Sequence, residues 1–561
     1  MPQAPSQPGR LVRHTSAFRR FVIVYYALLT LLLLILLPPL ISVDRLQRRI
    51  ATSISQSLGR PVHLDNVSLT LFPAPGFLLQ NLVVSEDPAF GSEPIIRANT
   101  VRATLRLSSL WTRRVEFSTI AFTEPSVNLV HLANGTWNLE SILLQASRIP
   151  TAPTAQRNRG SAPRFPYIEA TGARLNLKLG VEKTPFSLTD ASFALWLPQP
   201  EQWHLRLEAH PARTDTSASD TGLLRLEGTL GRAPSLLLVP LDLTASWTAA
   251  PLGEASLLLL GHDASLRGTM DVAAHAQGTL GDSELTTHLQ ITQIRRADFV
   301  PAKSLNLDII CTSRATSAFH SFPDLHCGWP ATPSGTQAPS LTLNADLPDI
   351  REPHQFTTIA DAANIPSASL IDWLRIVSSR VPPDTSASGQ FTAHITYRPP
   401  TPPPAPSAIL NGTAELTHTT LTNPRLHLAP LKVGDLLFES TSPAPAPTAS
   451  HSPSAQPNKL FIFALAPTSL PLGGKDPATI EGSLDSTGYT LHLTGMVLPS
   501  RLQALGNALP QFGDGMEAIV PTSRSTAPLR IDITATRPWF GPQTWQQTTQ
   551  RPAPAHHPKS R

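Results

Sequence analysis

The chain has few cysteines, charged residues and aromatic residues for its length of 561 residues. Only 2 residues are cysteine, 15% are charged and 6% are aromatic, so a disulfide-rich scaffold is excluded. Lys and Arg form no dense stripe interleaved with aromatics, which leaves nucleic-acid binding without support. A hydrophobic fraction of 41% in turn excludes wholesale disorder.

Motifs of known catalytic chemistry are also missing. The chain contains no G-x-S-x-G nucleophile turn, no H-E-x-x-H zinc motif and no G-x-G-x-x-G after a strand. Residues 472–476 (LGGKD) lack the upstream glycine and the following Ser or Thr of a phosphate loop. The residues of a catalytic triad come together only in the folded protein, so a cell-envelope enzyme stays open as an alternative. It is the least favoured one, because the motifs above are missing. The sequence predicts no catalytic residue, no cofactor and no metal site.

The two cysteines, Cys311 and Cys327, are candidates for one disulfide in an oxidising compartment. On the chain-entropy model the bridge closes a loop of about 15 residues and stabilises by roughly 3 kcal/mol. The alternative is two unpaired, half-buried thiols. Neither cysteine lies in a C-x-x-C pair, so a metal role is not indicated.

One long apolar run lies behind a basic leader. Residues 21–37 (FVIVYYALLTLLLLILL) carry no charge and are roughly 26 Å long as a helix, or roughly 34 Å if extended to Val43. Arg10, Arg13, Arg19 and Arg20 precede the run without any acid, which favours a cytoplasmic N terminus. A single-pass inner-membrane anchor with a periplasmic body is therefore predicted, and a cleaved signal peptide is the alternative.

The rest of the chain is typical of a β protein. Its 57 prolines oppose long helices, and alternation of apolar and polar residues recurs from residue 62 onward. Residues 100–107 (TVRATLRL) place Val, Ala, Leu and Leu on one face. Helices are predicted at 44–58, 367–379 and 501–509, and residues 257–260 (LLLL) are predicted as a strand.

Composition also divides the chain. We predict a cytoplasmic leader (1–20), a transmembrane helix (21–43), an N-terminal β region (44–147), a linker (148–166), a middle β region (167–350), a C-terminal β region (351–545) and a disordered tail (546–561). Glycines at 228, 278, 412 and 482 recur at strand centres and indicate bulges or bends in similar hairpins.

This many half-buried strands must bury an apolar face, and two or three short helices cannot cover it. The predicted fold class is mainly β, a long curved antiparallel sheet shaped as a groove, after an N-terminal transmembrane helix. A filled sandwich core is the alternative, and periodicity alone favours it. If the groove is open, its lining suits acyl chains. The candidate lipid-facing residues, chosen by alternation, are Val101, Ala103, Leu105, Leu107, Leu205, Leu207, Leu224 and Leu226.

Residues 58–143 resemble the N-terminal region of the AsmA family of bacterial envelope proteins. Six ordered segments carry the resemblance. They are residues 57–62 (SLGRPV), 69–77 (LTLFPAPGF), 82–91 (LVVSEDPAFG), 98–103 (ANTVRA), 124–129 (EPSVNL) and 134–139 (NGTWNL). The C-terminal half is similar to the family only in its succession of glycine-centred strands.

The resemblance implies an inner-membrane anchor, a periplasmic β-rich body and a non-enzymatic role in outer-membrane assembly. Larger relatives are similar to bridge-type lipid transfer proteins with a chorein-like N-terminal region, which implies membrane phospholipid as the ligand and envelope proteins as distal partners. A scaffold for outer-membrane protein assembly, without lipid conduction, is the alternative. The sequence does not give the oligomeric state, the lipid or the direction of transfer.

Overall fold

The protein is mainly β, with few helices, in a computed structural model. The structure describes residues 13–36, 47–48, 50–52, 54–55, 59–72, 74–106, 117–140, 166–180, 182–199, 202–301, 304–331, 338–352, 355–377, 381–399, 409–441, 462–485, 488–509, 526–538 and 546–548. The predicted linker up to residue 165 and the candidate residue Leu107 lie outside these ranges, as do most of the predicted leader and tail.

The chain divides into two compact units, each described by itself below. Unit 1 comprises Met1–Ser217 and Leu223–Leu243, and unit 2 comprises Ala218–Gly222 and Thr244–Arg561. The strand β11 (Pro240–Pro251) contains the boundary between them.

Unit 1 contains one long helix, α1 (Arg13–Leu36), and ten strands in the part described. The strands are β1 (Val62–His63), β2 (Asn66–Thr70), β3 (Gly76–Val84), β4 (Ile96–Leu105), β5 (Phe117–Thr123), β6 (Ser126–His131), β7 (Tyr167–Leu179), β8 (Glu182–Gln199), β9 (Gln202–Arg213) and β10 (Leu223–Gly231). A 3-10 turn, Leu236–Leu238, precedes β11.

The sheet of unit 1 is mixed, so the expectation of a purely antiparallel sheet is wrong here. The first part of β7 pairs in parallel with β5, and its second part pairs in parallel with β6. Glu124, at a positive φ of 49°, separates β5 from β6 together with Pro125. Parallel pairing needs a long connection, and the chain between His131 and Tyr167 is long enough to supply one.

Unit 2 contains strands in which each pairs antiparallel with the next along the chain. The strands are β12 (Leu266–Thr279), β13 (Asp282–Arg296), β14 (Leu305–Thr316), β15 (Phe322–Trp329), β16 (Ser340–Leu347), β17 (Thr357–Pro366), β18 (Ser386–Arg398), β19 (Ile409–Asn423), β20 (Leu428–Thr441), β21 (Ile462–Leu470), β22 (Ala478–Asp485), β23 (Gly488–Val497), β24 (Leu529–Pro538) and β25 (Gln546–Thr548). Its helices are α2 (Leu252–Leu260), α3 (Ser367–Val377) and α4 (Pro499–Ala508).

Helix α1 contains most of the apolar run, and most of its apolar side chains whose burial is described are exposed. Phe21, Ile23 and Tyr25 are all more than half exposed. Within the described ranges, no helix combines the length and the apolar character needed to cross a bilayer. Of the predicted helix at 44–58, the described residues at 47–48, 50–52 and 54–55 are helical.

Helix α2 overturns one strand prediction. The four leucines at 257–260 close a helix that begins at Leu252, after Pro251, and ends at Gly261 in the left-handed conformation. A short apolar run has no period that separates a buried strand from a buried helix, and the flanking Pro and Gly are the signals that decide. The predictions of α3 and α4 are confirmed.

Two of the repeated glycines, Gly228 and Gly412, do not lie at bulges in the pairs β9–β10 and β18–β19. Pairing runs through Gly228 and Gly412 without a register shift. Gly412 has a φ of +139°, and a Cβ there would lie 1.9 Å from the carbonyl oxygen of His394. These glycines therefore allow close approach of the neighbouring backbone. The register shifts instead at residues such as His418, at a positive φ of 52°, whose N–H donates to Asp435 Oδ1 at 2.8 Å.

Candidate functional site

The family-like motifs of the N-terminal region meet in one buried polar network. Asn138 is fully buried, and its Oδ1 accepts the N–H of Val130 at 3.0 Å. Its Nδ2 donates to Glu86 Oε2 at 2.5 Å and to the carbonyl of Asn128 at 2.8 Å. The network ties the NGTWNL segment to the VSEDP segment and to the edge of β6.

Arg60, from the SLGRPV segment, completes this network. Its side chain is 7% exposed, and its guanidinium lies 3.8 Å from the Glu86 carboxylate and 3.0 Å from the Asp87 carboxylate. The backbone N–H of Ala89, with the charge of Arg60, lowers the pKa of Asp87. The charges of Arg60, Glu86 and Asp87 are therefore paired. Together with Asn138, they connect the motif segments at one end of the unit 1 sheet.

Five of the eight predicted lipid-facing residues fall into two cross-strand rows on one face of the unit 1 sheet, which we call the apolar face of unit 1. One row contains Val67, Leu79, Val101, Phe122, Ala170, Phe193, Leu207 and Leu226. The next row contains Leu69, Phe77, Ala103, Ile120, Ile168, Leu195, Leu205 and Gly228. Two rows thus run through eight strands with no charged residue.

The burial of the candidate residues differs along this face. Val101 and Ala103 are 1% and 5% exposed, and Val101 packs in a cluster that includes Ile50, Ala51 and Ile54. Leu205 is 9% exposed. Leu105, Leu207, Leu224 and Leu226 are half-buried. The apolar face of unit 1 is therefore covered by the helical residues over β2–β4 and is partly accessible over β7–β10.

Unit 2 has a corresponding apolar face, again defined by register. One row contains Leu341, Ala362, Ala393, Ala414, Phe438, Leu465, Gly482 and Leu491. Leu341 is 41% exposed, whereas Leu431, Leu472 and Leu502 are fully buried where α4 packs on the face. The apolar face of unit 2 is therefore accessible at Leu341 and closed under α4.

The disulfide lies on the apolar face of unit 2. Cys311 and Cys327 are bonded and stand directly opposite one another on β14 and β15. Their row continues through Thr287 on one side and Leu343 on the other. The disulfide therefore joins β14 and β15 on the apolar face of unit 2.

Sequence reasoning missed a second site, an open depression of about 530 Å³ on the opposite face of unit 2. Glu439, Glu481 and His492 contribute to its lining. His492 lies 2.7 Å from Glu481 and 2.9 Å from Asp532, and these two hydrogen bonds raise the pKa of His492. The three groups come from three strands, so only the register reveals the cluster. Among the described residues, no group of His, Cys, Asp or Glu is arranged to hold a metal ion.

Comparison with known proteins supports the N-terminal resemblance. The model of the AsmA family matches residues 16–168, a range that contains most of α1, all of β1–β6 and the Arg60–Asn138 network. The matched range contains all six motif segments, so the predicted resemblance to the AsmA family is confirmed over this part of the chain. The AsmA family is not known as a family of enzymes. No curated protein and no solved structure matches the chain.

Proposed function

We propose that this protein is a non-enzymatic, AsmA-like envelope protein that binds or transfers phospholipid for outer-membrane assembly. In this proposal, the apolar run 21–43, of which α1 contains the described part, anchors the chain in the inner membrane. The N terminus is then cytoplasmic and the body is periplasmic. The exposed apolar side chains of α1, the basic leader and the family match support the anchor.

The observation that carries the proposal is the pair of uninterrupted apolar rows across eight strands of unit 1. Burying a methylene group stabilises by about 0.8 kcal/mol, so a few methylenes of one acyl chain are enough for appreciable binding. Leu207 and Leu226 are half-buried, and Leu207 packs against a buried cluster of alanines. In this proposal, the exposed parts of the two leucines form the surface that an acyl chain would contact.

A scaffold role is the second candidate, and the closed stretch under α4 favours it. There, Leu431, Leu472 and Leu502 fill a packed interior that leaves no room for a ligand. If the accessible stretches are also filled in solution, the protein binds no lipid and serves as a rigid envelope part.

Mass spectrometry of lipid retained by the full chain separates the two functions. Leu207 and Leu226 are directly opposite on β9 and β10, and Arg206 and Glu227 are the next opposite pair, on the other face. We expect Leu207→Gln with Leu226→Gln to reduce retained phospholipid. The matched pair Arg206→Gln with Glu227→Gln removes an exposed ion pair and leaves retention unchanged. A folded, lipid-free wild-type chain contradicts the proposal.

A further inference from the structure

One end of the unit 1 sheet is unusually rich in aromatic and apolar residues. We call it the aromatic end. By register, it collects the β2–β3 turn, the start of β5 and β7, the β8–β9 turn and the β10–β11 loop. Its described residues are 70–72, 74–77, 104–106, 117–118, 166–168, 195–199, 202–204 and 229–240. The side chains that concern us are Phe72, Tyr167, Trp196, Trp203, Leu237 and Leu238.

Several of these large apolar side chains face solvent. Phe72 is 86% exposed in a turn, Leu237 and Leu238 are 51% and 57% exposed, and Tyr167 is 39% exposed. Scattered single apolar residues on a surface need no explanation, but here several occur at the ends of neighbouring strands. This concentration indicates that something apolar contacts the aromatic end.

The aromatic rings at this end form ordered contacts on both faces of the sheet. Tyr167 lies 6.0 Å from Trp196, which stacks on His204 at 5.4 Å between ring centroids. On the opposite face, the guanidinium of Arg232 lies 5.5 Å from the ring centroid of Trp203. Tyr and Trp are enriched at membrane–water interfaces, and Arg can extend its charged end into the headgroups there, because each of these side chains has an apolar body and a polar tip.

Charge differs between the two ends of the same sheet. The described residues of the aromatic end contribute the cations Arg106 and Arg232 and no carboxylate. The opposite end carries Glu86, Glu93 and Glu182, beside the last residues of β3 and β7. A surface of anionic lipid headgroups attracts the two cations of the aromatic end. At the opposite end, Glu86 and Glu93 are paired with Arg60 and Lys178.

The course of the helical residues before β1 is consistent with this polarity. Ser55 accepts the N–H of Val62, which pairs with Val84 at the end remote from the aromatic end. Gln47 donates to the carbonyl of Leu64 at 2.6 Å, nearer the middle of β3. Traced toward the N terminus, these helical residues therefore approach the aromatic end, and the exposed apolar helix α1 precedes them.

We infer that the aromatic end of unit 1 rests on the surface of a lipid bilayer, with Phe72, Leu237 and Leu238 inserted among the headgroups. The inference rests on the proposed function for the identity of that bilayer. It adds the part of the body that contacts the membrane. Because the aromatic end collects one end of each strand that the rows cross, the rows of the apolar face run alongside the bilayer surface.

A label at single sites tests this contact in the full chain, reconstituted in nanodiscs of phosphatidylcholine and phosphatidylglycerol. The two native cysteines are bonded to each other, so an introduced cysteine is the reactive thiol. Phe72→Cys and Leu238→Cys probe the aromatic end. Leu179→Cys, 61% exposed at the opposite end of unit 1, is the matched control, and Leu260→Cys, 59% exposed, is a control in unit 2.

A nitrobenzoxadiazole label at 72 and 238 should emit at shorter wavelength and be quenched by doxyl-labelled lipid at least about twofold more than at 179 or 260. The inference is overturned if iodide quenches the labels at 72 and 238 as strongly as the label at 179. It is also overturned if these labels are protected from both iodide and doxyl-labelled lipid, because that result indicates a protein partner. Phospholipid retained by the purified chain is measured separately, by mass spectrometry before reconstitution, and this measurement is independent of the labels. Retained phospholipid with water-exposed labels contradicts the surface contact alone, and lipid-quenched labels without retained phospholipid contradict the proposed function alone.

Discussion

Removing the Asn138 side chain tests whether the family motifs form one stabilising network. Asn138→Ala deletes two neutral hydrogen bonds, worth about 1 kcal/mol each, and one to a carboxylate, worth about 2 kcal/mol. It also leaves the N–H of Val130, a residue 3% exposed, without its acceptor. We therefore expect the local stability of β6 to fall by about 3–5 kcal/mol.

Hydrogen exchange over residues 126–140 measures this loss directly, because a chain of two units need not unfold in one step. Each 1.4 kcal/mol changes an opening constant about tenfold, so exchange of the Val130 amide should accelerate by about 100-fold to 4,000-fold. Asn134→Ala is the matched control, since Asn134 is exposed and only accepts from Thr136 in a turn. Unchanged protection in Asn138→Ala, or equal effects of the two variants, refutes the reasoning.

Three further predictions concern unit 2. Gly412→Ala should lower the stability of β18 and β19 by more than about 2 kcal/mol, because the added Cβ would meet a backbone oxygen. Gly328→Ala is the control, since a Cβ there would have nothing within 4 Å, and its stability should change by no more than about 0.5 kcal/mol. Thermal unfolding of the two variants measures the difference. The raised pKa of His492 stabilises the folded state below its ordinary value of 6.5, and this stabilisation is lost as pH rises through the folded-state pKa. Unfolding temperatures should therefore fall from pH 6 to pH 8 more in the wild type than in His492→Gln, and equal slopes contradict this. Cys311→Ala with Cys327→Ala should speed amide exchange in β14 and β15 and lower stability by about 3 kcal/mol, while unchanged exchange contradicts a stabilising bridge.

The sequence predicts those parts of the fold that depend on local pattern. The alternation at 100–105 corresponds to the end of β4, and the helical spacing from Ser367 corresponds to α3. Both signals arise from neighbours along the chain. The leucines at 257–260 are the failure of the same reasoning, because four consecutive apolar residues carry no period.

Register is the part that the sequence does not contain. The parallel pairing of β7 with β5 and β6 depends on a long connection and not on the strands themselves. The approach of Asn138 to Glu86 joins residues 52 positions apart, and the cluster at His492 joins three strands. In contrast, alternation was enough to choose Leu207 and Leu226, which prove to be opposite one another on one face.

Photo-crosslinking of neighbouring residues on the two faces of β9 tests the central proposal most directly. Benzoyl-phenylalanine at position 207 replaces a side chain of the apolar face, and at position 206 it replaces an exposed arginine of the other face. The account predicts a phospholipid adduct at 207 and little or none at 206 when the full chain is irradiated in its native membrane. Equal yields at both positions, or adducts at neither in a correctly folded protein, contradict it.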